Sequence, residues 1–236
     1  MTQRKGRSPG VFDKAFLTGI EEEVTEVLLV RHAQQEADFE KATVAEIINP
    51  PLSEQGRQQA NLLGEALSTS NIDAVFASPL LRAVETAEAI TRHHRLDIQQ
   101  IEDLREVEIF RDLPGDKRAS ESLGDDLLEA VRLRMLNERS WDVYPFSESS
   151  FDFRKRSITA VETAIARASG ERIVLVVHGG VINAYIGDII GAKYDMFFRP
   201  AHTSVNVVVA GGGRRVLRTL NDTHHLRTGE GDFLSY

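Results

Sequence analysis

Apolar residues along this chain follow two rhythms. Thr25–Arg31 (TEVLLVR) and Arg172–Val177 (RIVLVV) are β-branched or aliphatic at almost every position, which predicts strands buried on both faces. Ile72–Ala77 and Ile98–Ile101 are shorter runs of the same kind. Ser204–Val209 and Arg215–Leu220 flank Gly211-Gly212-Gly213 as the arms of a hairpin would. Residues 54–68, 80–92, 125–137, 151–168 and 181–190 read as helices. Pro50-Pro51-Leu52-Ser53 breaks the chain and offers Ser53 as an N-cap. Ser78-Pro79 is expected to act likewise, with Ser78 as the cap and Pro79 at the first helical position. The alternation of strands and helices predicts one α/β domain over residues 25–226. Residues 1–24 read as a polar N-terminal extension, residues 110–150 as a helical and loop insertion over the site, and residues 227–236 as a loose C-terminal tail.

Composition narrows the function. The chain has 236 residues, enough for one sizeable domain, and a formal net charge of -8. That charge argues against a nucleic-acid partner, while arginines gathered in one pocket would still suit a small anion. There is no cysteine, which excludes disulfides, thiolate nucleophiles and cysteine-ligated metals and fits a cytoplasmic location. No segment is long and apolar enough for a membrane partner. The basic start, MTQRKGRSPG, lacks an apolar core of signal-peptide length.

Two central strands end in histidine. Arg31-His32 closes the first and His178-Gly179-Gly180 follows the second. Ligands of open α/β sheets bind beyond the carboxyl ends of strands, so both imidazoles are aimed at the same kind of place. A neutral imidazole attacks phosphorus well, and a guanidinium beside it can hold phosphate oxygens in a fork. A lone histidine at a strand end is more often satisfied by backbone carbonyls, so the pair carries the argument. The glycines after His178 let backbone N–H groups approach an anion at a helix start. Arg82, one turn into its helix, points back toward the strand ends. In Leu104-Arg105-Glu106-Val107-Glu108 either Glu106 or Glu108 could protonate a leaving alcohol, and both share one face if the stretch is extended. His202 precedes a strand and could line the cleft. His93-His94 and His224-His225 lack the spacing of a metal site.

In order, these elements resemble the histidine phosphatase superfamily, also called the phosphoglycerate-mutase-like family. Arg31-His32-Ala33 resembles that family's Arg-His-Gly. Pro51-Leu52-Ser53-Glu54-Gln55-Gly56-Arg57-Gln58-Gln59-Ala60 is similar to its Pro-Leu-Thr-x-x-Gly-x-x-Gln-Ala. Ser78-Pro79-Leu80-Leu81-Arg82-Ala83-Val84-Glu85-Thr86-Ala87 matches Ser-Pro-x-x-Arg-Ala-x-x-Thr-Ala in full. Leu104-Arg105-Glu106 and His178-Gly179-Gly180 also match, and Glu148-Ser149 with Phe151 and Arg156 is a looser likeness.

The resemblance implies a three-layer sandwich, with a mostly parallel mixed sheet flanked by helices, and a phosphomonoesterase working on a small phosphorylated substrate. By the same resemblance His32 is the phosphorylated nucleophile, Arg31, Arg82, His178 and Gly179 bind phosphate, Glu106 donates the proton, and neither metal nor cofactor is needed. Gln35, Asp38, Glu108 and His202 are candidate substrate contacts. Ala33, Gln35, Asp38 and Phe110 depart from the family pattern. Ala33 adds a methyl where the backbone usually has glycine, and Asp38 puts a carboxylate where asparagine is common. Two other readings stay open: a phosphoglycerate mutase, disfavoured by Ala37-Asp38 in place of that activity's Trp-Asn pair, and a weakly catalytic phospho-ligand binding protein. Trp141, Tyr144, Phe146, Phe151 and Phe153 would shape specificity or fill core. The strand pair Ser204–Leu220 offers an edge for a homodimer.

Overall fold

The computed structural model describes residues 24–36, 41–228 and 231–236. The extension (Val24 apart) and Asp38 therefore lie outside the described residues. Six strands form the central sheet: β1 (Thr25–Arg31), β2 (Ala74–Ala77), β3 (Ile98–Gln100), β4 (Arg172–Val177), β5 (Val205–Gly211) and β6 (Arg214–Asp222). Their spatial order is β3-β2-β4-β1-β5-β6. The first four are mutually parallel, and β5 runs antiparallel to both β1 and β6. The β5–β6 turn is tighter than the three glycines suggest: Gly211 stays in the strand, and Gly212 and Gly213 both take positive φ, as a two-residue type I′ turn requires.

The helices are α1 (Val44–Ile48), α2 (Glu54–Leu67), α3 (Leu81–Thr91), α4 (Ala119–Leu123), α5 (Asp125–Glu138), α6 (Ser150–Arg167) and α7 (Gly179–Ile190). Strand alternation sorts the core into two layers. Val27 and Leu29 of β1, with Ile173, Leu175 and Val177 of β4, face α6 and α7 through Val161, Ala164, Val181 and Ile182. Leu28, Val30, Val174 and Val176 face α2 and α3 through Leu63, Ala83, Ala87 and Ile90. Every position of β2 and β4 except the first of β4 is buried, which is why these strands read as unbroken apolar runs. Among the described residues no helix is long and apolar enough to cross a membrane.

Three local expectations need correction. Ser53 caps α2 by accepting the Gly56 N–H, but Ser78 does not cap α3. That helix starts at Leu81, its N–H is taken by the Asn49 side chain at 2.7 Å, and Ser78 turns inward instead. The stretch from Asp103 is not extended: a 3-10 turn at Glu102–Leu104 leads into loop. Nor is the end of the chain loose. Gln59 Nε2 donates to the Phe233 carbonyl and to Ser235 Oγ, and the His202 N–H donates to the Ser235 carbonyl.

Candidate active site

Sheet register gathers the site. Arg31 is the partner of Val177 and Ala77 that of Val176, so His32, Ser78 and His178 leave three neighbouring parallel strands side by side. The His32 N–H donates to the Val177 carbonyl and the Ser78 N–H to the Val176 carbonyl. Because β5 is antiparallel, it begins where the others end, and it brings His202 to the same rim. The His32 ring lies 5.0 Å from that of His178 and 5.7 Å from that of His202, centre to centre.

His32 is 3% exposed and held in one tautomer. Its Nδ1 lies 2.7 Å from the Ala33 carbonyl. A carbonyl only accepts, so the proton is on Nδ1 and the lone pair on Nε2. Arg82 Nε approaches that Nε2 at 3.3 Å. Burial, reinforced by Arg82, His178 and Arg31, holds His32 well below the ordinary 6.5, so the ring is neutral and nucleophilic at physiological pH. His178 is depressed the same way, first by burial and then by Arg82 and Arg31. Its Nε2 pairs with Ser78 Oγ at 2.8 Å, while its Nδ1 is buried with no partner. Arg31 Nε is likewise buried and unpartnered, although the guanidinium donates to the Pro200 carbonyl at 2.6 Å. Burial lowers both Arg31 and Arg82 to about 10, the Glu106 charge opposing the shift in each case. Both arginines remain cationic at neutral pH.

Glu106 is the carboxylate beside these cations. Its Oε2 accepts the Gly180 N–H at 3.1 Å, and its Oε1 accepts the Val107 N–H at 3.0 Å. Glycine is needed at position 180 for this approach, because a Cβ there would stand 2.2 Å from Glu106 Oε1. Gly179 faces no such crowding: its Cβ would come no nearer than 3.8 Å to Arg31 Nε. Arg156 fixes the loop that carries Glu106. It donates to the main-chain carbonyls of Asp103, Arg105 and Glu106 and forms a fork with Glu148 at 2.7 Å on both arms.

Above this floor is a cleft of about 640 Å³. Arg31, His32, Arg82, Glu106, Gln35 and Glu108 all line it, as do Trp141 and Tyr144 from the insertion. Glu108 is separated from Glu106 in role: it pairs with Arg105 at 3.1 Å and Arg111 at 3.9 Å. Of the other aromatics, Phe153 is core, while Phe146 and Phe151 are 52% and 73% exposed. Ala33 has no positive φ, and its methyl is buried with Leu52, Ala60 and Ala89, so the departure from glycine is accommodated. Phe110 is the costlier departure, with φ 59° in the left-handed region that favours glycine. Its ring packs edge-on against Tyr144 at 5.7 Å and its N–H donates to Ser147 Oγ.

Several residues of the site escape a reading of the sequence. Thr86 accepts the Ala33 N–H at 3.0 Å and donates to the Arg82 carbonyl at 2.6 Å, so it ties the residue after His32 to the helix that carries Arg82. It and Ser78 lie inside the Ser-Pro-x-x-Arg-Ala-x-x-Thr-Ala match, which is the available signal. Ser235 Oγ meets His202 Nδ1 at 2.8 Å, and nothing in the local sequence announces it.

Comparison with known proteins bears on the family and the fold. The family model described as histidine phosphatase superfamily (branch 1) matches residues 27–223. Phosphoglycerate mutase-like protein 4 of Arabidopsis thaliana is 32% identical over 161 residues, 67% of this chain and 68% of that protein. Phosphoserine phosphatase 1 of Hydrogenobacter thermophilus is 27% identical and covers 86% of this chain and 95% of its own. Among solved structures, YhfR of Bacillus stearothermophilus superposes with a TM-score of 0.72 at 27% identity, over 85% of this chain and 98% of that one.

Proposed function

The chain belongs to branch 1 of the histidine phosphatase superfamily, and on that footing we propose that it is a metal-independent phosphomonoester hydrolase acting through a phosphohistidine on His32. One observation carries the reading. His32 is buried and neutral, its proton is committed to the Ala33 carbonyl, and its Nε2, which accepts from Arg82 Nε at 3.3 Å, belongs to a ring that lines the cleft. The unpartnered Arg31 Nε and His178 Nδ1 suit donors kept for phosphate oxygens, and the Gly179 N–H at the start of α7 would add another.

The phosphate binds among Arg31, Arg82 and His178, whose fixed charges and dipoles oppose the charge spreading over the transferring group. His32 Nε2 bonds to phosphorus as the ester P–O bond breaks, and Glu106 gives its proton to the leaving alcohol oxygen. Water then attacks phospho-His32. Glu106, now a carboxylate, takes the proton from that water, the N–P bond breaks, and inorganic phosphate leaves. The first step consumes a proton held by Glu106, so kcat falls on the alkaline side and the optimum is acidic.

The test is hydrolysis of an aryl phosphate, with chelator present, by the wild type and by His32→Ala. Turnover that persists with chelator and vanishes in His32→Ala, with alkali-quenched wild type carrying an acid-labile, alkali-stable phosphoryl group, is the expected result. Activity retained by His32→Ala, or lost on chelation, overturns the reading. The mutase reading draws on the name of the Arabidopsis relative; isomerisation of 3-phosphoglycerate rather than its hydrolysis would favour it. The Ala37-Asp38 pair that bears on this choice lies outside the described residues.

A further inference from the structure

We propose that the outer cleft selects phosphomonoesters of an uncharged, apolar alcohol, and that Glu108 enforces this by masking Arg105 and Arg111. The inference rests on the hydrolase reading above and names its substrate class.

Charge is the first argument. Four arginines line the cleft among the described residues: Arg31, Arg82, Arg105 and Arg111. The first two stand at the nucleophile and are engaged by a phosphate. A substrate with a second anionic group, such as a carboxylate near the ester, would have to use the outer two. Those are already answered. Arg105 forms ion pairs with Glu102 at 3.2 Å and Glu108 at 3.1 Å, although its Nε is buried without a hydrogen-bond acceptor, and Arg111 lies between Asp112 at 3.7 Å and Glu108 at 3.9 Å. Three carboxylates face two guanidiniums, so the rim repels rather than attracts a second anion.

Shape and polarity are the second argument. A cleft of about 640 Å³ lies in the usual range for ligands of drug size and is larger than a three-carbon phosphoacid would fill. Beyond the phosphate floor, Gln35 and the paired charges of Arg105, Glu108 and Arg111 share the lining with apolar residues. Ile48 comes from α1, Leu80 from the approach to α3, Ile109 from the Glu106 loop, and Trp141 and Tyr144 from the insertion. Ile48 remains 49% exposed, an aliphatic surface that gains by being covered. The Trp141 wall is anchored: Asp195 accepts from the Trp141 N–H at 3.1 Å and from Ser140 and Ser150 at 2.7 and 2.6 Å.

The test compares three esters of primary alcohols, so that leaving-group chemistry stays similar: 2-phenylethyl phosphate, ethyl phosphate and O-phosphoserine. The wild type should give kcat/KM about 10- to 100-fold higher for the phenylethyl than for the ethyl ester, with phosphoserine lowest. Glu108→Gln should raise kcat/KM for phosphoserine relative to the phenylethyl ester by about two- to fivefold, the span expected for one partly exposed ion pair. Ile48→Ala should shrink the phenylethyl-to-ethyl ratio by about fourfold for each methylene that the substrate no longer covers. If the wild type hydrolyses all three and phosphoserine equals or exceeds the phenylethyl ester, the inference fails while the hydrolase reading stands. If the wild type hydrolyses none of them nor any aryl phosphate, the hydrolase reading fails and this inference with it. A Glu108→Gln ratio that does not move refutes the masking role even where the apolar preference is found.

Discussion

Gly180→Ala tests the placement of Glu106, the proposed proton donor. The backbone favours the change: Gly180 sits in α7 without a positive φ, and alanine is about 1 kcal/mol better than glycine in a helix interior. Space opposes it. The new Cβ would be 2.2 Å from Glu106 Oε1 and 2.9 Å from Phe153 Cζ. Phe153 is fully buried and packs edge-on against Trp141 at 6.0 Å, so the carboxylate is the freer of the two. It must retreat by about 1 Å to reach ordinary contact, and its bond from the Gly180 N–H is strained. Overpacking at such a site costs about 1–3 kcal/mol, which the helix gain offsets in part, so Tm should shift only slightly. A displacement of about 1 Å at a catalytic group costs about 100-fold in rate. That loss should depend on the substrate. An alkyl phosphate needs its leaving oxygen protonated, whereas p-nitrophenyl phosphate leaves as a stable phenolate. The assay is kcat for both substrates beside thermal unfolding. The expected pattern is about a 100-fold loss on the alkyl ester, a much smaller loss on the nitrophenyl ester, and a folded protein. Gly179→Ala, with no atom nearer than 3.8 Å, serves as the steric comparison. Equal loss on both substrates, or no loss on either in a folded variant, would falsify the assignment of Glu106 as the donor held by this glycine.

Three further outcomes follow from the same geometry. Arg156→Lys keeps the charge but cannot reproduce the fork to Glu148 together with three carbonyl contacts; it should slow alkyl phosphates at least about tenfold with the same leaving-group signature as Gly180→Ala, and a rise in KM alone would count against a positioning role. Ser78→Ala leaves the buried His178 Nε2 unpaired, so it should cost about 1–3 kcal/mol of stability and lower kcat, whereas an unchanged Tm would mean that the hydroxyl is dispensable. Burial depresses His202 to about 3 and His225 to about 4. Unfolded, both titrate near 6.5, so below that pH the unfolded chain binds protons that the folded one refuses. Stability should therefore fall as pH drops from about 6.5 toward 4, by up to about 1.4 kcal/mol per pH unit for each ring; a Tm flat from pH 7 to pH 4.5 would contradict this.

Which parts of the site are legible in the sequence follows from how each is made. His32 and His178 announce themselves because the buried runs Val27–Val30 and Ile173–Val177 hold no polar residue, so the imidazole that follows each run marks the carboxyl edge of the sheet where ligands bind. Arg82 is legible through a motif spanning one helical turn. His202 is legible only as a residue before a strand that could line the cleft; its place beside His32 depends on β5 running antiparallel, and strand direction leaves no trace in apolar periodicity. Ser78 misleads for a related reason. A serine before a proline at a helix start is locally a cap, but its hydroxyl is claimed by His178, 100 residues away, and the capping duty passes to Asn49. The choice between Glu106 and Glu108 is undecidable for an extended segment, since alternation puts both on one face. The 3-10 turn at Glu102–Leu104 ends before both of them and both line the cleft, so what separates the two carboxylates is company: a glycine N–H and buried cations for Glu106, two partly exposed arginines for Glu108. Glu108 is already engaged by Arg105 and Arg111. Its charge is better used at the rim, which is why the residue that competes for the catalytic role is the one argued to set specificity.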